Sequence, residues 1–238
     1  MANTFFRFKQ FTVHQQHSAM KVTTDGCLFG AWVADGLQHQ GAGKRLLDIG
    51  TGTGLLSLMV AQKNRTTIDA VEIDSNAAAE ARENFSASPW KDRLHLHETA
   101  IQDFTIDAKY DHIFCNPPFY ENELKPEHDG RHLAHHSKSL LLKEVVAALQ
   151  KFLSDKGSFF LLLPAKRSSE AERLLNEQNF YLHEKLWVRQ TEKHAPFRLV
   201  LRGGRTQADA TEREMIISEN GNYTQAFAAL LRDYYLAL

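Results

Sequence analysis

The sequence predicts an α/β protein with a doubly wound sheet of seven strands, parallel except for an antiparallel hairpin near the C-terminal end. Three observations carry this. Short apolar runs alternate with helical segments from residue 45 to residue 178, the pattern of strands joined by helical crossovers. The stretch "LLDIGTGTG" (46–54) places a glycine-rich turn between a strand and a helix. Finally "YLHEKLWVRQ" and "FRLVLRGGR" are two strand-like runs joined by a short loop.

The elements follow in order. Residues 5–14, "FFRFKQFTVH", mix aromatic and β-branched residues with polar ones and read as one or two short strands. Leu28, Trp32, Val33 and Leu37 fall at helical spacing, so 27–37 reads as a short helix. "RLLDIG" (45–50) is a buried strand and "GLLSLMVAQ" (54–62) a helix. "TIDAVEID" (67–74) is a strand, and "SNAAAEARENF" (75–85) an alanine-rich helix with Ser75 as its N-cap. "RLHLHE" and "YDHIFCN" (110–116) are strands. An amphipathic helix at 139–153, a buried strand at 157–164 and a helix at 167–178 complete the alternation. After the hairpin, "NYTQAFAALLRDYY" reads as a helix. The chain is read as one domain, 1–238, with an N-terminal extension (1–40) before the core (41–238).

Composition narrows the class. With 43% apolar residues the 238-residue chain can bury a sizeable core. No uninterrupted apolar run is long enough for a membrane span. "MANTFFRFKQ" lacks a long apolar run and a small-residue cleavage site, so no secretory signal is expected. Two cysteines, Cys27 and Cys115, are too few for a disulfide framework and suit a reducing cytoplasm. A net charge of −1 argues against a general nucleic-acid binder but leaves room for a local basic patch.

Two motifs carry chemistry. In the glycine turn, Gly50, Gly52 and Gly54 leave the backbone open to a ligand. Their spacing is G-x-G-x-G, not the G-x-G-x-x-G of a dinucleotide site. Asp48, two residues before the first glycine, would oppose a pyrophosphate but suits a ligand carrying an ammonium or sulfonium. The second motif is "CNPPFY" (115–120): a proline pair that ends a strand, preceded by one amide and followed by two aromatics. Ligands of open parallel sheets bind outside the carboxyl ends of the strands, at the switch in strand order, where these two turns would meet.

"LDIGTGTG" resembles the S-adenosylmethionine motif of class I methyltransferases, a Rossmann-like fold. The resemblance implies that Asp48 lies near the methionine ammonium and that the glycines pass under the ribose and methionine. It makes Glu72, at the end of the second core strand, the acceptor of the ribose hydroxyls, in preference to Asp74, with Ile73 beside it. The acid this family usually places after the third strand is replaced by Ala100, leaving Asp103, or the backbone at Ala100 and Ile101, for the adenine. "NPPF" resembles the [DNS]-P-P-[YFW] motif of amino-group methyltransferases. It assigns Asn116, Pro117, Pro118, Phe119 and Tyr120 to catalysis, with Asn116 also beside the cofactor. Two acceptors, the Asn116 side-chain oxygen and the Pro117 carbonyl, would draw a planar amine towards a nucleophile, while Phe119 stacks on the base.

The target is implied by the N-terminus. "FRFKQFTVHQQHSAMKVTTDGCLFGAW" (6–32) resembles the start of the bacterial valine-tRNA adenine-37 N6-methyltransferases. That resemblance implies tRNA as partner, the anticodon stem-loop of valine tRNA in particular. It places Thr23, Thr24 and Asp25 near the cofactor and lets Lys9 and Lys21 reach RNA phosphates. The rivals are a glutamine N5-methyltransferase acting on a release factor, against which the short segment before Leu46 speaks, and a non-catalytic cofactor- or RNA-binding protein. The polar stretch 120–138 reads as a loop over the substrate. Its histidines, His128, His132, His135 and His136, lack the companions of a metal site, so no metal is expected. The hairpin at 185–205 carries Lys185, Arg189, Lys193, Arg198, Arg202 and Arg205 against Glu192 alone. Alternation puts Arg198 and Arg202 on one face, which suits RNA backbone contact.

Overall fold

The computed structural model describes residues 3–38, 43–118 and 140–238. Its centre is an eight-stranded sheet. The strands are β3 (Arg45–Ile49), β4 (Thr67–Glu72), β5 (Leu94–Glu98), β6 (Tyr110–Cys115), β7 (Leu153–Pro164), β8 (Tyr181–Arg189), β9 (Arg198–Gly204) and β10 (Thr211–Ile216). Their order across the sheet is β10-β8-β9-β7-β6-β3-β4-β5. Only β9 runs against its neighbours, pairing antiparallel with both β7 and β8. The order reverses between β3 and β6, which pair directly.

Period-two alternation splits the strands between two cores. In β7, Phe159, Leu161 and Leu163 face one side, and Phe160 and Leu162 the other. The first side is covered by α4 (Leu142–Phe152) and α5 (Ser168–Asn176), the second by α1 (Thr24–Leu37), α2 (Leu55–Lys63) and α6 (Gln225–Leu231). α3 (Ser75–Ala87) also packs on the second side, through Phe85.

Three expectations are refined. The first helix begins at Thr24, three residues early, because the Thr23 hydroxyl accepts from the Gly26 amide (3.2 Å) and nucleates another turn. The cap of α3 is Asp74, not Ser75: its carboxylate accepts from the amides of Asn76 (3.1 Å) and Ala77 (2.9 Å). The sheet has eight strands, not seven, since β10 pairs parallel with β8 from Thr211↔Glu184 to Ile216↔Arg189. "TEREMI" hid this strand, because an edge strand is kept soluble by charges that blur its alternation.

The N-terminal residues form a separate hairpin, β1 (Phe5–Arg7) with β2 (Thr12–His14). α3 fastens it. The Asn84 amide side chain exchanges hydrogen bonds with His14 (2.8 and 2.9 Å) and also donates to the Thr53 carbonyl (2.9 Å) in the glycine turn. One turn earlier Glu80, 4% exposed, accepts from the His17 amide (2.6 Å), the Ser18 amide (2.9 Å) and the Ser18 hydroxyl. These bonds hold the Glu80 carboxyl below the usual carboxylate range, against the opposing effect of burial. At the far end the buried Tyr234 hydroxyl donates to the Met59 carbonyl (3.0 Å).

Glu80→Ala leaves three donors without an acceptor. It is expected to cost about 2–3 kcal/mol of stability and to speed amide exchange at His17 and Ser18 far more than in β3 or β6. Unchanged protection at those two amides would show that the segment is held by other means.

Candidate active site

The glycine turn leaves β3 after Ile49 and enters α2 at Leu55. Gly50, Gly52 and Gly54 all have positive φ (+70°, +56° and +83°). At Gly54 a Cβ would lie 2.4 Å from the Phe85 ring, so a side chain is excluded twice over, by conformation and by contact. At Gly52 a Cβ would meet nothing within 4 Å, so this part of the turn opens on free space. The Gly52 amide donates to one Glu72 oxygen (2.8 Å), and the other accepts from the Asp74 amide (2.9 Å). Each carboxylate oxygen has a second lone pair, so Glu72 can still accept hydroxyls from a ligand.

Asp48 is fully buried. One of its oxygens accepts from the hydroxyls of Thr51 and Ser57 (2.7 Å each), while Oδ1 is buried with no hydrogen-bond partner among the described residues. Burial pushes its carboxyl up to about 7, with the two hydroxyls pulling the other way. A cation placed at Oδ1 would compensate that burial.

Beside the turn is a cleft of about 230 Å³. Ile49, Gly50, Val71 and Glu72 form its floor, and Ile73, Ala100, Ile101 and Leu140 add apolar wall. Ile73 is 44% exposed, an apolar side chain presented to an open cleft. Asp103 lies on the rim, brought beside Ala100 and Ile101 by a turn in which its amide donates to the Ala100 carbonyl (3.1 Å). Thr99 and Glu144 also line the cleft and were not picked out from the sequence. Glu144 is the third residue of α4 and accepts from the Leu141 amide (2.7 Å), so its one sequence signal is that of a helix-start residue.

Asn116 follows β6. Ile49 and Cys115 pair in register, so Gly50 and Asn116 are the next residues along the two adjacent strands. The Asn116 Oδ1 is buried and has no hydrogen-bond partner among the described residues. Pro117 is buried and Pro118 half-buried. Phe119, Tyr120 and the histidines of the following segment lie outside the described residues. Among the described residues no group of His, Cys, Asp or Glu is placed to hold a metal.

The other sequence candidates fall in different places. Thr23–Asp25 open α1, whose Gly26 lies against Leu55 at the start of α2, so they stand beside the glycine turn. Asp25 pairs with Arg198 (2.6 Å), which is opposite Pro164 at the carboxyl end of β7. The Arg202 guanidinium lies over the Phe160 ring, 5.8 Å from its centre, on the face covered by α1. The Lys9 ammonium donates to the backbone oxygens of Arg232 (2.5 Å) and Leu238 (2.6 Å). Lys21 donates to the carbonyls of Gln15, Gln16 (3.3 Å) and Ser18 (2.9 Å). The basic hairpin is also less basic than its sequence. Lys185 pairs with Glu172 (2.8 Å) and Glu212 (3.3 Å), and Arg189 pairs with Glu214 (2.9 Å).

A family pattern described as "Methyltransferase small domain" matches residues 31–190. A Dyadobacter fermentans protein named tRNA1(Val) (adenine(37)-N6)-methyltransferase is 41% identical over 98% of this chain and 98% of its own. A Cytophaga hutchinsonii protein of the same name is 39% identical over the whole of both chains. This chain belongs to the tRNA1(Val) (adenine(37)-N6)-methyltransferase family. The methyltransferase fold is shared more widely. A predicted O-methyltransferase from Agrobacterium tumefaciens superposes with a TM-score of 0.67 at 17% identity, over 88% of this chain and 96% of that one. The glycopeptide N-methyltransferase MtfA, solved with S-adenosylmethionine, gives 0.56 at 11% identity, over 75% of this chain and 94% of that one.

In this methyltransferase the Asp48 carboxyl makes stability depend on pH. Its folded pKa lies above its ordinary 3.8, so between about 4 and about 7 the folded protein holds more protons than the unfolded one. Stability of the ligand-free protein therefore falls as pH rises through that window. His112, pushed down to about 4 by burial from an ordinary 6.5, slopes the opposite way between those values. Comparing thermal unfolding of the parent with Asp48→Asn cancels the His112 contribution. The parent is expected to lose stability relative to the variant as pH rises from about 4 to about 7; a difference independent of pH would refute the assignment.

Proposed function

We propose that the protein transfers the methyl group of S-adenosylmethionine to N6 of an adenine in tRNA, and that this adenine is position 37, beside the anticodon of valine tRNA. The observation that carries the chemistry is the unpartnered, buried Oδ1 of Asn116 at the switch in strand order. A buried acceptor without a donor costs about 1–3 kcal/mol, and an exocyclic amine supplies the missing donor. The position of the adenine and the tRNA are those in the names of the full-length relatives.

The cofactor fits the residues present. Asp48 Oδ1 is an unpartnered acceptor suited to an ammonium, Gly52 leaves open space for a ribose, and Glu72 keeps lone pairs for its hydroxyls. Ile73, Ile101 and Leu140 suit the faces of an adenine, with Asp103 or the 100–101 backbone at its polar edge. When bound, S-adenosylmethionine supplies an electrophilic methyl on its sulfonium. Asn116 Oδ1 and the Pro117 carbonyl each accept one hydrogen of the target amine, which localises its lone pair. The surplus proton leaves to solvent once nitrogen carries the methyl, so no strong general base is required. Proline fixes the direction of that carbonyl, and the aromatic residues next in sequence, Phe119 and Tyr120, are assigned to stacking on the base. Such an enzyme works where tRNA matures, in the cytoplasm.

Asn116→Ala should slow methylation about 10²-fold or more, the loss expected for one preorganised polar contact to a transition state, with cofactor affinity unchanged by calorimetry. Asn116→Asp keeps an acceptor and should retain part of the activity. The measurement is single-turnover methylation of unmodified valine tRNA with saturating cofactor, followed by nucleoside analysis. Parent-like turnover by Asn116→Ala to N6-methyladenosine would show the role to be wrong; methyl appearing in protein and not in tRNA would replace the substrate.

A further inference from the structure

A second and larger depression, about 970 Å³, lies between the N-terminal hairpin and the C-terminal elements. Topology places it on the catalytic side of the sheet. β6, β7, β8 and β10 all run in one direction, so their carboxyl ends share an edge. Asn116 follows β6 on that edge, while Gln190 follows β8 and Ser218 follows β10. Gln190 and Ser218 line the depression, as do Thr23 and Thr24 beside the glycine turn. It thus begins near the site described above and extends away from the cofactor cleft, towards the β10 edge.

Its chemistry differs from that of the cleft. The cofactor cleft carries Glu72, Asp103 and Glu144, whereas no Asp or Glu side chain among the described residues lines the depression. Its one charged side chain is Arg7, exposed and without a hydrogen bond or ion pair among the described residues. Lys185, Arg189 and Arg198 all have carboxylate partners. Aromatic rings stand opposite. Tyr223 is 46% exposed, its ring propped by Phe227 at 4.7 Å, and Phe6 and Tyr235 lie nearby. The amide side chains of Gln190 and Asn222 add donors and acceptors that can meet base edges.

We infer that this groove docks the single-stranded RNA next to the methylated adenine, with Tyr223 as a stacking platform for a neighbouring base and Arg7 on a backbone phosphate. An RNA loop offers what the lining asks for: splayed bases with exposed faces and a chain of negative charge. The inference rests on the proposed tRNA substrate, and it replaces the basic hairpin face with a different RNA contact.

The test uses the full-length protein with unmodified valine tRNA. Tyr223→Ala should raise the tRNA dissociation constant about tenfold or more, and Tyr223→Phe, which keeps the ring, should not. Arg7→Gln should weaken binding and lower the slope of log affinity against log salt by about one. S-adenosylmethionine affinity should stay at the parent value in all three, which also reports that they fold. Parent-like tRNA affinity and salt slope in both Tyr223→Ala and Arg7→Gln would overturn the inference. So would variants that lose self-association in sedimentation while keeping RNA affinity, which would give the groove to a second copy of the chain. A parent protein that methylates no tRNA would instead remove the functional reading itself, and this inference with it.

Discussion

The Glu72 carboxylate holds two backbone amides at once, one from the turn after β3 and one from the residue that caps α3. The glycine turn has positive φ at three alternate positions, so it cannot be held by regular secondary structure. Its start is tied by the amides of Gly50 (2.9 Å) and Thr51 (3.1 Å) to the Val71 carbonyl, and its middle by side chains that reach it from the neighbouring strand and helix. Without Glu72 the Gly52 amide would have no acceptor, and the open space beside Gly52 would lose its fixed border. The same carboxylate lines the cleft beside the turn, so the group that shapes the turn is also one open to a ligand.

α3 extends this arrangement over the rest of the site. Its first turn is capped by Asp74, whose own amide is the second that Glu72 holds. Its middle turn grips the N-terminal segment through Glu80, and its last turn uses Asn84 to join that segment to the glycine turn. The ring of Phe85 then fills the space that a side chain at residue 54 would need. Cofactor turn and N-terminal segment are therefore set by one rigid helix, which makes the relative placement of Thr23–Asp25 and the cleft a property of packing.

What was legible in the sequence was local. A strand and a glycine turn lie within nine residues at 46–54 with a helix directly after them, and a strand ending in two prolines is visible from the sequence alone. Asp48, Glu72 and Asn116 could be picked out because each sits at a fixed offset from such a signal. What escaped was non-local. The hairpin read as a basic face because its counter-charges, Glu172, Glu212 and Glu214, belong to α5 and β10. β10 itself was hidden by those charges. Lys9 and Lys21 looked free because carbonyl acceptors leave no mark in a sequence. The boundary between Asp74 and Ser75 was a matter of one residue, and either type caps well.

β9 is the single strand that runs backwards, and it changes when the protein can become active. By reversing between β7 and β8, it lets β10, the last strand of the large sheet, end on the same edge as β6, and a short two-stranded turn at 218–223 then leads into α6. There Lys9 meets the carbonyl of Arg232, across 223 residues of sequence. Such a contact closes a very long loop and forms late. On the ribosome the part from β3 to β6 can assemble while the C-terminal third is still being made. α3 can hold the N-terminal hairpin by then, but the contacts of that hairpin with the C-terminal segment must wait for α6. A nascent chain would thus acquire the cleft beside its glycine turn well before the depression between its first strands and its C-terminal segment is complete.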